Sequence, residues 1–310
     1  MNAPMSTPRI CHAEHMPGTV AQDAHVSVLI VGGGACGLTA ALMLHDAGVD
    51  CAMLERDATP LGSSALSSGF IPAPGTQAQR AAGIDDDSPE RFAADISAKA
   101  KGRVAPHLVK AYAQAIGPAL DALQARHGLQ WQVLDGFLYP GHSVRRMHAT
   151  PEKTGVGLTG RLANAVTAAG IPLITEATVC ELWINAQQRE IGVGYERPDG
   201  TLEHPACDTL ILACNGFGGN PAMVRELLPE MRDALFAGHT GNDGSAIRAG
   251  WTSTPSAACS GSTASDCPIC WPQAAPRGAC LATRSEAISP ATACSAPWPV
   301  ATSRRTRRPF

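Results

Sequence analysis

A short apolar run, a helical stretch and a second apolar run follow one another near the start of the chain. Residues 26–31 are apolar and rich in β-branched side chains, as a buried parallel strand requires. Residues 38–47 repeat apolar positions at helical spacing, and Gly48 follows as a common helix-terminating residue. Residues 49–54 form the second apolar run. The pattern therefore predicts a strand–helix–strand unit of an α/β fold.

Three glycines follow the first apolar run at the spacing of a dinucleotide-binding turn, and an acidic residue follows the second run. Gly32, Gly34 and Gly37 allow, in that order, a tight turn, close approach to a pyrophosphate, and packing of helix on strand. The helix N-terminus then favours an anion through its free N–H groups and its dipole. Glu55 ends the second strand, where a carboxylate accepts the hydroxyls of an adenosine ribose. A tight turn without a ligand is the alternative, but all these features agree with a dinucleotide cradle.

The segment after Glu55 has too many glycines and serines for a strand and too few apolar positions for a helix. We expect a loop that contains Gly62, Ser63, Ser64, Ser67 and Gly69. Its hydroxyls and N–H groups suit phosphate and the polar edge of a flat ring system. An ordinary surface loop is the alternative, and the position directly after the cradle favours contact with a ligand.

Residues 84–128 carry apolar positions three to four apart and are predicted to form a helical insertion that covers the sheet, with breaks at Gly102 and Pro118. A basic loop follows, which contains His142, Arg145, Arg146 and His148. Two interpretations of this loop stay open: its side chains bind a carboxylate substrate or a cofactor phosphate, or they are simply solvated.

The second half of the chain returns to strands. Residues 158–169 predict a helix and residues 171–174 a strand, while 178–184, 191–195 and a turn at Asp199 and Gly200 predict a small antiparallel β-meander. Residues 209–214 predict a buried strand that ends in a glycine-rich turn, as the cradle strand does. A loop over 237–244 then opens a helix.

Charge and hydropathy limit the classes of function. A net charge of -3 argues against nucleic acid as the main partner. No run of about 18 apolar residues is present, so no membrane span is expected. Residues 1–23 lack the apolar segment of a secretory signal and are expected to be a disordered extension. We therefore expect a cytoplasmic protein.

The composition changes after Gly250. Residues 251–310 are rich in Ala, Ser, Thr, Pro, Cys and Arg and show neither the helical nor the strand period. Cys267 and Cys270, with Cys280 and Cys294, could suggest a zinc site in the tail, but a second pair at ligand spacing is absent and the tail has no histidine, so no metal is predicted. We expect an irregular, low-complexity tail that is disordered, translated in the wrong reading frame, or an unrelated fusion.

Several motifs occur in the order of one known family. They are the cradle with Glu55, the serine loop, the stretch 212–220 and the stretch 239–244. In these motifs the chain resembles the FAD-binding fumarate reductase and succinate dehydrogenase flavoprotein family, which includes soluble 3-ketosteroid dehydrogenase-like members. The resemblance implies a Rossmann-like FAD-binding domain of the glutathione-reductase type over 24–250, with the capping domain missing.

The resemblance also implies roles for individual residues. The cradle and Glu55 hold the ADP half of FAD, the serines run along pyrophosphate and flavin, the backbone of Val179 contacts adenine, and Cys214 to Gly216 pack beside the dinucleotide. Members with covalent flavin carry a histidine in the serine loop, and none stands here, which implies dissociable FAD. The implied cofactor-binding residues are Gly32, Gly34, Ala35, Cys36, Gly37, Glu55, Arg56, Gly62, Ser63, Ser64, Ser67, Gly69, Val179, Cys214, Asn215, Gly216 and Asp243.

The activity that the resemblance implies is hydride transfer between flavin N5 and a carbon next to a carbonyl or carboxylate. The substrate is then a small molecule: an enone, a steroid-like compound or an unsaturated carboxylate. No catalytic residue is assigned, because the family's proton donor lies in the capping domain. Two alternatives stay open: a catalytically inactive remnant that only binds an adenine dinucleotide, and an NAD-dependent dehydrogenase.

Overall fold

The computed structural model describes residues 8–12, 24–187 and 189–253. The strands are β1 Arg9–His12, β2 His25–Val31, β3 Cys51–Leu54, β4 Ile71–Pro72, β5 Gln132–Val133, β6 Met147–Ala149, β7 Leu173–Ile174, β8 Thr178–Ile184, β9 Glu190–Glu196, β10 Leu202–Glu203 and β11 Ala206–Leu212. The helices are α1 Ala35–Asp46, α2 Gly62–Ala65, α3 Gln77–Ala81, α4 Pro89–Lys99, α5 Pro106–His127, α6 Gly155–Ala168, α7 Pro221–Leu227 and α8 Ser245–Ser253.

An 8-stranded sheet forms the centre, in the order β1-β8-β9-β11-β2-β3-β7, with β10 paired to β9. The run β11-β2-β3-β7 is parallel, and β8, β9 and β10 form the antiparallel meander that the sequence predicts. A smaller 3-stranded sheet joins β4, β6 and β5. The prediction of an α/β fold with a Rossmann-like core is confirmed.

Strand β2 is buried on both faces because its side chains alternate between two cores. Val28 and Ile30 pack with α1, α5 and α6 on one face. Leu29 packs on the other face with β3 and the meander. This double coverage fixes the end of β2, and with it the glycine turn that follows, in the middle of the molecule.

The helical insertion differs in one respect from its prediction. Ser88 caps α4 by accepting a hydrogen bond from Arg91 N, and the chain does break after α4 in the region of Gly102. The predicted break at Pro118 is wrong, since α5 runs through it. Gly117 lies directly on the carbonyl of Pro74, so packing against the neighbouring loop holds the helix where Pro118 gives up one hydrogen bond.

Part of the N-terminal segment is ordered, contrary to the expected disorder of residues 1–23. Strand β1 lies parallel to β8, with Ile10 opposite Leu182. Arg9 pairs with Glu181, whose buried carboxylate also accepts hydrogen bonds from Trp183 and is paired with His204. The four residues of β1 are therefore held at the edge of the sheet by pairing with β8 and by one ion pair.

Two further expectations concern membrane spans and the C-terminal tail. No helix within 8–12, 24–187 and 189–253 is long and apolar enough to cross a membrane. The tail beyond residue 253, with its five cysteines, lies outside the described residues.

Candidate functional site

The first glycine turn is shaped by backbone contacts that exclude larger side chains. Gly32 has a φ of 114°, and a Cβ there would lie 2.5 Å from the carbonyl oxygen of Ala213. A Cβ on Gly37 would collide with the carbonyl of Gly32. The turn is therefore closed by the start of α1 on one side and by the end of β11 on the other. Ala35 and Cys36 form the first turn of α1, as a phosphate-binding helix N-terminus requires.

Glu55 is held at the end of β3 by two backbone groups. Its Oε2 accepts a hydrogen bond from Gly33 N at 2.6 Å and its Oε1 accepts one from Asp57 N at 2.9 Å. These bonds fix the carboxylate beside the glycine turn. A carboxylate has about four acceptor positions, so further positions remain for ribose hydroxyls.

The serine loop contains one helical turn, α2, where the sequence predicts no helix. Ser64 Oγ accepts a hydrogen bond from Ala35 N at 3.2 Å, and thereby joins α2 to the cradle. Ser67 Oγ donates to the carbonyl of Ser64 at 2.7 Å and accepts from Gly69 N at 2.9 Å. Side-chain hydrogen bonds thus replace the apolar contacts that a helix prediction looks for.

The N-terminus of α6 packs against the same loop. Gly155 N donates to the carbonyl of Ser67 at 2.8 Å, and a Cβ on Gly155 would run into the carbonyls of the loop. Gly69 has a φ of 68°, and a Cβ there would lie 2.6 Å from the carbonyl oxygen of Thr154. Two further glycines are therefore needed for the loop to take this shape.

The second glycine-rich turn follows β11 and meets the first. Cys214 Sγ donates to the carbonyl of Val31 at 3.2 Å, and burial raises the pKa of this thiol to about 12. Asn215 has a φ of 70° and so turns the chain in the left-handed region. Gly216 accepts a hydrogen bond from Gly244 N at 2.9 Å, which connects this turn to the loop that carries Asp243.

The loop over 237–244 completes the wall of the site. Asp243 Oδ1 accepts a hydrogen bond from Ser245 N at 2.9 Å, at the start of α8. The Oδ1 atom of Asn242 is buried, faces Gly216 and has no hydrogen-bond partner among the residues that the structure describes. A buried polar atom without a partner at this place fits a site built for a polar ligand.

Arg56 lies between this loop and the cradle. Its guanidinium packs against the backbone of Gly241 and contacts Asp57, with Nε 3.2 Å from Oδ1. Burial opposes the charged form, but the hydrogen bond to Asp57 and the charges of Glu55 and Asp243 raise the pKa of Arg56 overall. This cation remains charged between Glu55 and Asp243.

Val179 lies on β8, opposite Tyr195 of β9. The chain just before β8 touches the cradle, because Ala177 N donates to the carbonyl of Glu55 at 2.9 Å. The first residues of β8 thus follow a segment that is bonded to Glu55, and a contact of Val179 with adenine stays a prediction.

Three of the four basic side chains of this loop, all but Arg145, match neither of the two interpretations. Arg146 is fully buried, and its guanidinium binds both oxygens of Asp87, at 2.9 and 2.7 Å, and Asp95 at 2.5 Å. His148 is also fully buried, with Nδ1 2.9 Å from the carbonyl of Arg146. Burial first, and the positive charge of Arg146 second, lower the pKa of His142 to about 4. Of the four basic side chains, Arg145 is the exposed one.

Sequence reasoning missed two residues of the site, Asp57 and His239. They are 3.5 Å apart and line a cavity of about 290 Å³ beside α2, together with Leu61, Leu66 and Val156. The only signal in the sequence is position, since Asp57 follows Glu55 and His239 begins the last motif. Within the described residues no cluster of His, Cys, Asp and Glu is arranged to hold a metal ion.

Comparison with known proteins agrees with this geometry. A family model described as FAD binding domain matches residues 27–285, and so includes part of the sequence beyond Gly250. The chain is 27% identical over 232 residues to an NADH:fumarate oxidoreductase of Klebsiella pneumoniae, which covers 74% of this chain and 24% of that protein. It is 28% identical over 214 residues to a urocanate reductase of Eggerthella lenta, across 68% of this chain and 35% of that protein.

A solved structure shows the same fold. The 3-ketosteroid-Δ4-(5α)-dehydrogenase of Rhodococcus jostii RHA1 superposes with a TM-score of 0.68 at 23% identity, over 80% of this chain and 56% of that one. The chain spans less than half the length of the two curated relatives named above.

Proposed function

Because this chain belongs to the FAD binding domain family, we propose that it binds FAD in the site between the ends of β2, β3 and β11 and acts as an FAD-dependent oxidoreductase. The observation that carries the proposal is the meeting of the two glycine turns, where Gly32 touches Ala213 and Glu55 is tied to Gly33. We further propose that residues 24–250 are the cofactor domain.

The residues divide along the cofactor. Gly32 to Gly37 and the first turn of α1 would hold the pyrophosphate, and Glu55 would accept the ribose hydroxyls. Arg56 would balance the phosphate charge, and the serines of α2 and the backbone near Gly216 and Asp243 would follow the rest of the dinucleotide. When bound, FAD supplies hydride transfer between its N5 atom and a substrate carbon next to a carbonyl or carboxylate.

The attachment of FAD is proposed to be non-covalent. Ser64, Ala65 and Leu66 stand where a covalently linked family member would carry a histidine. Precipitation of the protein with acid tests this directly. Yellow colour in the supernatant supports a dissociable cofactor, whereas colour retained in the pellet contradicts it.

The proposed substrates are small molecules with an activated carbon–carbon double bond. The curated relatives are named for fumarate and urocanate, both unsaturated carboxylates. We therefore propose an unsaturated carboxylate or an enone, including a steroid-like enone. Reduction of fumarate, urocanate and a 3-ketosteroid enone by a reduced viologen dye tests these classes side by side.

Two measurements decide between this proposal and its alternatives. A visible absorption band on the purified full chain after addition of FAD and removal of the excess supports FAD binding, and a band absent at saturating FAD contradicts it. A band without turnover of any substrate favours the inactive remnant. Tight binding of NAD in place of FAD favours the NAD-dependent dehydrogenase.

We also propose a cytoplasmic location. None of the six cysteines of the described residues forms a disulfide, as is usual in a reducing compartment. Cell fractionation of the producing organism tests the location, and recovery in an exported fraction contradicts it.

A further inference from the structure

His239 connects two loops of the proposed cofactor site. Its backbone N donates to Ser63 Oγ at 3.0 Å, so the loop over 237–244 is tied to α2 at this point. Its imidazole points to two other groups. Nδ1 lies 3.2 Å from Gly241 N, and Nε2 lies 3.5 Å from Oδ2 of Asp57.

The contact with Gly241 shows which ring nitrogen accepts a hydrogen bond. A backbone N–H only donates, so Nδ1 must accept from Gly241 N and carries no proton. The remaining proton is then on Nε2, which faces the carboxylate of Asp57. With this arrangement the ring accepts from Gly241 N and turns its Nε2–H toward the carboxylate of Asp57.

Asp57 extends the connection to the ribose end of the site. Its backbone N donates to Glu55 Oε1 at 2.9 Å, and its carboxylate accepts from Arg56 Nε at 3.2 Å. His239 therefore links the loop that carries Asp243 to the segment that carries Glu55 and Arg56. Without the imidazole, only the backbone bond to Ser63 would connect the loop to this side through residue 239.

We propose that His239 is a positioning residue for the cofactor: it holds the loop over 237–244 at the distance from Asp57 that FAD binding requires. This inference rests on the proposed function, since FAD is the ligand whose fit depends on that distance. His239 acts through Asp57 and Gly241, and it is not assigned to the reacting atoms. Its side chain is 32% exposed, so replacing it leaves the buried core intact.

Three substitutions separate the two contacts. His239→Ala removes both contacts. His239→Asn keeps an acceptor at the place of Nδ1 and loses the donor to Asp57, whereas His239→Gln keeps a donor at the place of Nε2 and loses the acceptor for Gly241. The dissociation constant of FAD is measured on the full chain by quenching of flavin fluorescence, and the melting temperature is measured without FAD.

The expected result is roughly tenfold weaker FAD binding in His239→Ala, the size of about one or two lost hydrogen bonds, with partial recovery in His239→Asn or His239→Gln. The effects of His239→Ala and Asp57→Ala should also be non-additive, because each removes the same contact. The bond between Asp57 N and Glu55 is backbone-mediated and survives in Asp57→Ala.

Two results would overturn the inference. An unchanged dissociation constant in His239→Ala, with wild type binding FAD, refutes the positioning role and leaves the proposed function intact. A lower melting temperature with an unchanged dissociation constant shows a purely structural role and refutes it equally. Wild type that binds no FAD refutes the proposed function, and the inference falls with it.

Discussion

Replacing Arg146 with alanine is expected to lower the free energy of unfolding by about 3–5 kcal/mol, the usual cost of breaking a buried ion pair from one side. The guanidinium and Asp87 are both 0% exposed, and Asp95 is 17% exposed. The substitution leaves these two carboxylates without their cation. It also removes the stacking of the guanidinium carbon 4.8 Å above the ring of Phe92.

The size of the effect depends on the hydrogen-bond partners that Asp87 and Asp95 keep after the substitution. Asp87 has a second partner in Gln79, whose Nε2 donates at 2.8 Å, and Asp95 accepts from Ser143 N at 2.8 Å. These neutral donors offset only part of the lost attraction. Arg146→Lys keeps the charge but loses the two parallel bonds to Asp87, and it should fall between wild type and Arg146→Ala.

Urea denaturation of the full chain, followed by far-ultraviolet circular dichroism, measures the effect. Arg145→Ala is the matched control, because it removes the same side chain from the neighbouring, exposed position. That variant should stay within about 0.5 kcal/mol of wild type. If both variants lose the same stability, or if Arg146→Ala loses less than about 1 kcal/mol, the reasoning about burial is wrong.

Three further predictions concern the cradle and the basic loop. Gly37→Ala should abolish FAD retention, because the added methyl group meets the carbonyl of Gly32. The control Gly160→Ala adds a methyl group in open space on α6, and it should be neutral or stabilise the protein by up to about 1 kcal/mol. Gel filtration with FAD and thermal melting compare the two variants, and equal FAD retention would contradict FAD binding at the glycine turn. Glu55→Gln should weaken FAD binding about ten- to a hundredfold in a fluorescence titration, since a charged acceptor is lost; unchanged affinity would mean that Glu55 does not bind the ribose. Because the pKa of His142 is lowered from 6.5 to about 4, the unfolded state binds the extra proton first, so stability should fall as the pH drops from 6.5 to 4. His142→Gln should flatten that fall in urea titrations at each pH, and an equally steep fall would point to another group.

Local patterns predicted the central unit of the fold well. The run from β2 through α1 to β3 and the meander follow from hydrophobic period and turn residues, which act over short stretches of chain. The turn after β11 was found in the same way, since Cys214, Asn215 and Gly216 follow an apolar strand. The roles of individual residues toward FAD remain predictions.

The rest depends on partners that are distant in sequence. The sequence around Arg146 is typical of a surface cation, because its partners Asp87 and Asp95 are distant in the chain. Pro118 predicts a helix end, but α5 continues through it where Gly117 packs against Pro74. Strand β1 is short and polar at both ends, and only β8 supplies the ladder that orders it. Sequence period does not report any of these contacts.

The pairing of β2 with β11 also sets the order of events on the ribosome. Val28 lies opposite Thr209, and Gly32 packs against Ala213. The glycine turn after β2 is therefore complete only when β11, which is synthesised much later, has left the ribosome. At typical translation speeds this delay is roughly ten to forty seconds. A nascent chain that stops before β11 keeps one side of β2 unpaired and has no complete place for the cofactor. Completion of the glycine turn is therefore a late step of synthesis, and until β11 emerges this side of the apolar β2 is without its partner strand.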